Sequence, residues 1–314
     1  MTTPVKQPTL HHHKKSLWLR MAQCWELYLF LVPAVVLVFV FSYVPMYGIQ
    51  IAFKNYKPVL GIWGSPWVGL KHFTRMFALP KFKLIVGNTF KISLMSIVLG
   101  FPFPIILSLI LNQLRSERYK RLIQTVTYMP HFISTVVIVG MLTVFLSTKN
   151  GIYKYFCDLL GKEPVNLMGS KQLFPWLYVI SGIWQHTGWN TIIYLAALSS
   201  IDVGLYEAAT IDGANRWQRM VHIDIPSIVP TMVILLILDS GSVLSVGFEK
   251  IFLMQNASNE AVSEVISTYT YKMGLQSMQY SFSTAVNLMN TVVNFVMLFV
   301  VNIIARKTSD YSLW

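Results

Sequence analysis

Few residues in this chain can do chemistry, and most of those lie inside apolar runs. Asp239 follows Ile228 by 11 residues, about 16 Å at the standard helical rise, which sets it near the middle of a membrane-crossing segment. An acid at that depth is costly and faces a protein interior or a water-filled path. A solute hydroxyl and a residue of a neighbouring polypeptide are both suitable partners for it. Between 282 and 305, Thr284, Asn287, Asn290 or Thr291, and Asn294 recur at three- and four-residue steps and form one polar stripe. Such a stripe serves interhelical hydrogen bonding or lines the same path. Trp184, Gln185, His186, Trp189 and Asn190 bring aromatic faces beside amides and an imidazole. That combination suits stacking and hydrogen bonding to sugar rings, and it also suits plain helix packing. Ser240, Ser242 and Ser245 are small enough to let helices approach closely. No catalytic constellation accompanies these groups. The nearest approach to a phosphate-binding GxxxxGK[ST] loop, Gly64 to Lys71, has one residue too many before the lysine, and there is no HExxH, CxxC or nucleophile motif. No metal site is expected.

The second chemical feature is a polar stretch between two long apolar runs, YEAATIDGANRWQRMVHIDIP at 206–226. Glu207, Ala208 and Ala209 favour a helix over 203–212. Gly213 suits the left-handed conformation that ends it, and Trp217, Met220 and Val221 give a second short helix an apolar face. Pro226 stands where a new helix would start.

The elements that must position these groups are membrane spans. Of 314 residues, 54% are hydrophobic and 12% charged, with a mean hydropathy of +0.53, too apolar for a soluble domain of this length. The net charge of +12 comes from basic residues in short segments between apolar runs, which argues for headgroups and loop topology and against nucleic acid. The fold expected is an all-α polytopic membrane protein with six transmembrane helices at about 27–51, 89–111, 124–146, 175–198, 228–254 and 282–305. The first run follows a basic leader and reads as a retained span, bent at Pro33 and Pro45. A mixed apolar and basic stretch over 53–87 suggests an amphipathic helix on the outer surface. Pro102 and Pro104 in the second run are tolerable if neighbouring helices satisfy the freed carbonyls. The resulting division is a tail at 1–26, a membrane domain at 27–305 containing a loop at 199–227, and a tail at 306–314. Cys24 and Cys157 are expected to form no disulfide, and His11–His13 to belong to a disordered tail. Lys and Arg divide almost evenly between the two sides, so their totals do not orient the chain.

Glu207-Ala208-Ala209, three residues, Gly213, nine residues, Ile223, one residue and Ile225-Pro226 together resemble the EAA loop of permease subunits in binding-protein-dependent ABC importers, with Ile225 where leucine is usual. The segments GFEKIFLMQN, STYTYKMGL and the terminal YSLW extend the resemblance toward the branch that imports oligosaccharides and polysaccharides, acidic ones such as alginate included. The resemblance implies a cytoplasmic loop between spans 4 and 5 whose helix docks on an ATPase as a coupling helix, and hence both termini in the cytoplasm. In that setting Glu207, Ala208, Ala209, Asp212, Gly213, Arg216, Trp217 and Arg219 are the coupling residues, with Asp212 and Arg216 or Arg219 fixing the loop or meeting the partner. Asp239, Asn287, Asn290, Asn294, Trp184, His186, Trp189 and Asn190 are the candidate solute path. It also implies a second homologous permease, a homodimeric ATPase carrying ATP and Mg, and an extracytoplasmic solute-binding protein. No cofactor is expected on this chain. The competing class, a self-contained secondary transporter or channel, would call for inverted repeats, broken spans with paired charges, and no docking loop. Repeats are not evident, and only one acid lies in the middle of an expected span.

Overall fold

The computed structural model describes residues 25–309 and 311–314. The leader residues Cys24 and His11–His13 lie outside the described residues. The chain falls into two compact units, one ending at Gln50 and the other spanning Ile51–Trp314. No β-strand forms among the described residues, which hold one isolated antiparallel bridge between Lys54 and Trp67.

Helix α1, Trp25–Phe53, is helical throughout. Its α-helical part, Trp25–Val38, accommodates Pro33, and a π turn over Phe39–Tyr43 precedes Pro45 and a 3-10 stretch over Val44–Phe53. An expanded turn just before a proline is a common way to absorb the missing N–H.

The second unit contains α2 (Lys71–Ala78), α3 (Pro80–Gln113), α4 (Glu117–Phe132), α5 (Thr135–Phe145), α6 (Ile152–Leu159), α7 (Phe174–Ser199) and α8 (Val203–Ile211). It continues with α9 (Arg216–Ser240), α10 (Phe248–Met254), α11 (Glu260–Ser263), α12 (Ile266–Tyr271) and α13 (Tyr280–Thr308). Among the described residues, α1, α3, α9 and α13 are each long and apolar enough to cross a membrane. Two bent pairs, α4 with α5 and α7 with α8, raise the number to six if each pair is one span. The fold is therefore the all-helical polytopic one expected.

Several boundaries differ from expectation, each for a physical reason. The outer amphipathic stretch shortens to α2, and Pro80 opens α3 nine residues before the anticipated span, because its fixed φ suits the first helical turn. The third span is not straight: α4 and α5 meet at 97°. Its break at Ile133–Ser134 is held by Gln185 Nε2, which donates to the Ile133 carbonyl (3.3 Å), and by Ser134, whose hydroxyl accepts the Val137 N–H to cap α5. The fifth span ends at Ser240, and residues 241–247 run irregularly before α10. That backbone survives because α13 supplies Asn294, which accepts the Leu244 N–H (2.9 Å) and donates to Ser245 Oγ (2.7 Å), while Ser267 Oγ donates to the Val246 carbonyl. The apolar side chains of the same segment, Val243, Leu244 and Val246, are buried in two core clusters.

Three clusters hold the second unit. One joins Met76 of α2, Ile85 of α3, Tyr269 of α12 and Phe282 of α13; another joins Ile92, Val139, Phe174 and Ile251; the third joins Ile105, Leu109, Tyr194, Leu198 and Ile228. The tightest approach lies between α7 and α4, where a Cβ on Gly188 would overlap the Thr127 backbone carbonyl. At the far end of α3, Glu264 is 2% exposed and receives Lys81 Nζ (2.7 Å) and Lys272 Nζ (3.3 Å), and Lys272 also reaches Glu260 (3.0 Å).

Two outcomes follow. Gly188→Ala must push α4 from α7 and should cost about 1–3 kcal/mol, read as a lowered thermal midpoint in detergent; an unchanged midpoint would contradict the packing. Lys272 holds the Glu260 carboxyl below its ordinary 4.5 through a hydrogen bond and its charge. A depressed pKa stabilises fully above the ordinary value and is lost as pH falls through the folded one. Glu260→Gln should thus be slightly less stable than wild type at pH 7, the pair being partly exposed, and the two should converge below pH 4.5.

Candidate functional site

The polar stretch folds as a helix, a turn and the opening of the next span. Helix α8 turns 70° away from α7, and Asp202 caps it by accepting the Gly204 N–H (2.9 Å). Gly213 takes φ +77°, and the Ala214 and Gly213 N–H groups reach back to the Ala209 and Thr210 carbonyls, closing a Schellman turn. Asn215 and Gln218 then exchange reciprocal bonds as a capping box. Pro226 does not open a separate helix: α9 runs unbroken from Arg216, with a π turn over Met220–Asp224 immediately before the proline. Ile211 is 86% and Trp217 69% exposed. Glu207, Asp212 and Arg216 are exposed too, and their charged groups engage no other described side chain. Of the two ways anticipated for Asp212, fixing the loop through an arginine is not what forms: Arg219 Nη1 bonds Thr210 Oγ1 (3.1 Å) instead. Ala208 and Ala209 complete the helix.

Beneath this surface lies a group that sequence reading missed. Asp224 is fully buried and accepts from Tyr206 Oη of α8 (2.5 Å) and from Gln113 Nε2 at the end of α3 (2.8 Å). One carboxylate thus ties α8, α9 and α3 together. Burial, reinforced by the Asp224 carboxylate, pushes the Tyr206 phenol up to about 12, so it remains a donor across the physiological range. The available signal was an acid in the otherwise apolar sequence Ile223-Asp224-Ile225.

A cavity of about 410 Å³ opens between α3, α7 and the segment from the end of α9 to α10. Asp239, His186 and Asn190 line it, and Asp239 makes no side-chain hydrogen bond or ion pair among the described residues. The structure does not gather the other anticipated residues there. Trp184 is exposed, and Trp189 stacks on His131 (4.5 Å between centroids) while His131 meets His186 through their Nδ1 atoms (3.2 Å). Asn294 supports the break after α9, so the interhelical alternative describes its contacts. Asn287 lines a different cavity of about 260 Å³ with Thr284, Tyr271 and Phe248. The Asn290 Oδ1 is buried without a partner. Lys250, Tyr178 and Tyr194 line the larger cavity and were not anticipated. A lysine inside an expected span was the overlooked signal for Lys250.

Comparison with known proteins matches residues 100–310 to the family described as binding-protein-dependent transport system inner membrane component. The polygalacturonan/rhamnogalacturonan transport system permease protein YteP of Bacillus subtilis (strain 168) is 41% identical, over 96% of this chain and 94% of that protein. Protein LplB of the same organism is also 41% identical, over 92% and 91%. A chain of a bacterial ABC transporter involved in the import of the acidic polysaccharide alginate superposes with a TM-score of 0.85 at 38% identity, covering 93% of this chain and 99% of that one. A bacterial alginate ABC transporter in complex with alginate pentasaccharide-bound periplasmic protein gives 0.85 at 37% identity, covering 95% and 99%.

The Asp224 junction sets a further expectation. Asp224→Ala leaves two half-buried donors without their acceptor and should cost about 2 kcal/mol, whereas Tyr206→Phe should cost about 1 kcal/mol. Because the two residues share one bond, the double variant should lose less than the sum of the single losses. Additive losses in thermal unfolding would deny the shared bond.

Proposed function

The chain belongs to the binding-protein-dependent transport system inner membrane components, and from that membership we propose that it is the permease subunit of an ATP-driven importer for an oligosaccharide or polysaccharide, acidic ones such as alginate included. It is a multi-pass membrane permease that forms half of the translocation path. A second, homologous permease supplies the other half, a homodimeric ATPase carries ATP and Mg, and an extracytoplasmic solute-binding protein delivers the sugar. Both termini face the cytoplasm in this reading.

The observation that carries the proposal is the EAA segment with every spacing kept, folded as a helix that leaves the spans and exposes Glu207 and Ile211. An exposed helix carrying apolar and unpaired charged groups suits a groove on another protein. Closure of the ATPase dimer on ATP would move α8, and the Tyr206–Asp224–Gln113 bonds would pass that displacement to α9 and α3. The spans would then alternate between outward- and inward-open forms. Asp239, His186 and Asn190 are the path residues in this scheme. Trp184, Trp189, Asn287 and Asn290 do not line the larger cavity, and Asn294 acts in this scheme by holding the break after α9.

The test is purification of the chain from its native membranes in mild detergent, with co-purifying proteins identified and ATPase activity measured. Recovery of a second permease and an ATPase is expected. Glu207→Ala should reduce transport and ATPase stimulation at least about tenfold while leaving thermal stability within about 0.5 kcal/mol, because an exposed position has little core to lose. A chain that purifies alone and moves solute without ATP would instead establish a secondary transporter.

A further inference from the structure

Lys250 is a buried cation that no described anion pairs with. It is 8% exposed, and its Nζ donates to the Tyr178 carbonyl (3.2 Å) and sits 5.0 Å from the Tyr178 ring centroid. Among the described residues no carboxylate lies within ion-pair distance of it; the lysines that pair are Lys81, Lys154 and Lys272. An ammonium has three donors, and the carbonyl uses one. Gly182 leaves space beside the nitrogen, since even a Cβ there would stand 3.5 Å from Nζ. Both residues line the larger cavity.

The acid of the same cavity does not serve as the missing partner. Asp239 neighbours Tyr194, whereas Lys250 meets Tyr178, 16 residues earlier on α7. That interval is about 24 Å along the helix axis. Glu249, adjacent in sequence, is exposed. An unpaired ammonium in such surroundings is strongly disfavoured unless a ligand or an interior anion completes it. The site therefore presents a cation with free donors at one end of the cavity and a hydrogen-bond-accepting carboxylate at the other.

We propose that Lys250 receives a carboxylate of the sugar in the cavity, making this permease selective for uronate-containing oligosaccharides over neutral ones. The proposal rests on the reading of the chain as a carbohydrate permease. Asp239 then takes hydroxyl groups, and its distance from Lys250 keeps the two from neutralising each other. The Tyr178 carbonyl and ring orient the ammonium, so charge-assisted hydrogen bonding to a carboxylate needs no rearrangement of the lysine.

The test measures equilibrium binding to the assembled importer in lipid nanodiscs, with the binding protein left out so that it does not choose the sugar. The probes are tetragalacturonate and the same oligosaccharide with its carboxyls reduced to primary alcohols. Wild type should favour the acid by about tenfold or more, the scale of one charge-assisted bond. Lys250→Met should bring the ratio of affinities near one, and Lys250→Arg should keep a clear preference. A merely structural lysine, or one that pairs with the second permease, would lower both affinities together and preserve the ratio, which would overturn the proposal. Equal binding of both probes by wild type would overturn it without recourse to any variant. ATP-driven uptake by wild-type proteoliposomes containing the binding protein separates the two readings: absence of uptake for both sugars removes the importer function, while the binding ratio judges Lys250 on its own.

Discussion

Peptide groups inside a bilayer have no water to turn to, and the architecture of this chain follows from how its broken spans meet that demand. Where α4 gives way to α5, Gln185 from α7 reaches the freed Ile133 carbonyl. Where α9 stops, Asn294 from α13 takes the Leu244 N–H, and Ser267 the Val246 carbonyl. Each break is thus underwritten by a side chain from a different helix. The irregular backbone in turn forms the wall of the larger cavity: Ser242, Ser245, Val246 and Gly247 all line it. A straight fifth span would place helix where the cavity has its wall.

The junction at the other end of the same helix obeys a related logic with opposite mechanical effect. Asp224 is buried without an ion-pair partner among the described residues, and the two neutral donors that satisfy it come from α8 and α3. Removing either leaves a polar atom stranded, so the three helices are held to one geometry. The exposed surface of α8 and the turn after it, by contrast, is unconstrained by any side-chain pairing of Glu207, Asp212 or Arg216 among the described residues. A stiff base under a chemically open face is what a docking element requires.

Legibility in the sequence was uneven. The spacing from Glu207 to Pro226 located the exposed helix, and Gly213 announced its left-handed turn. The apolar runs gave the all-helical polytopic class, with six spans reached only if each bent pair counts as one, and the ends of α7 and α13 fell within a few residues of expectation. The break after Ser240 was hidden because Val243, Leu244 and Val246 continue the hydropathy of the span, and hydropathy records depth, not backbone geometry. The polar stripe on α13 was visible, but its residues part company: Asn287 lines one cavity, Asn294 supports a backbone about 50 residues earlier. No periodicity within one helix can reveal such a partner. Lys250 stood out in the sequence only as a lysine inside an expected span; that no described carboxylate pairs with it is a property of three dimensions.

Gly188 carries one consequence beyond stability. With the Thr127 backbone packed directly against it, α4 and α7 have no side chain between them at this point to act as a lubricant. Sliding of one helix past the other is resisted at that contact. The joints that flank this contact, Ile133–Ser134 on one side and residues 200–202 on the other, are where the chain already bends. The Trp189–His131 stack and the His131–His186 contact bridge the same two helices, so the joint is fixed by rings as well as by backbone.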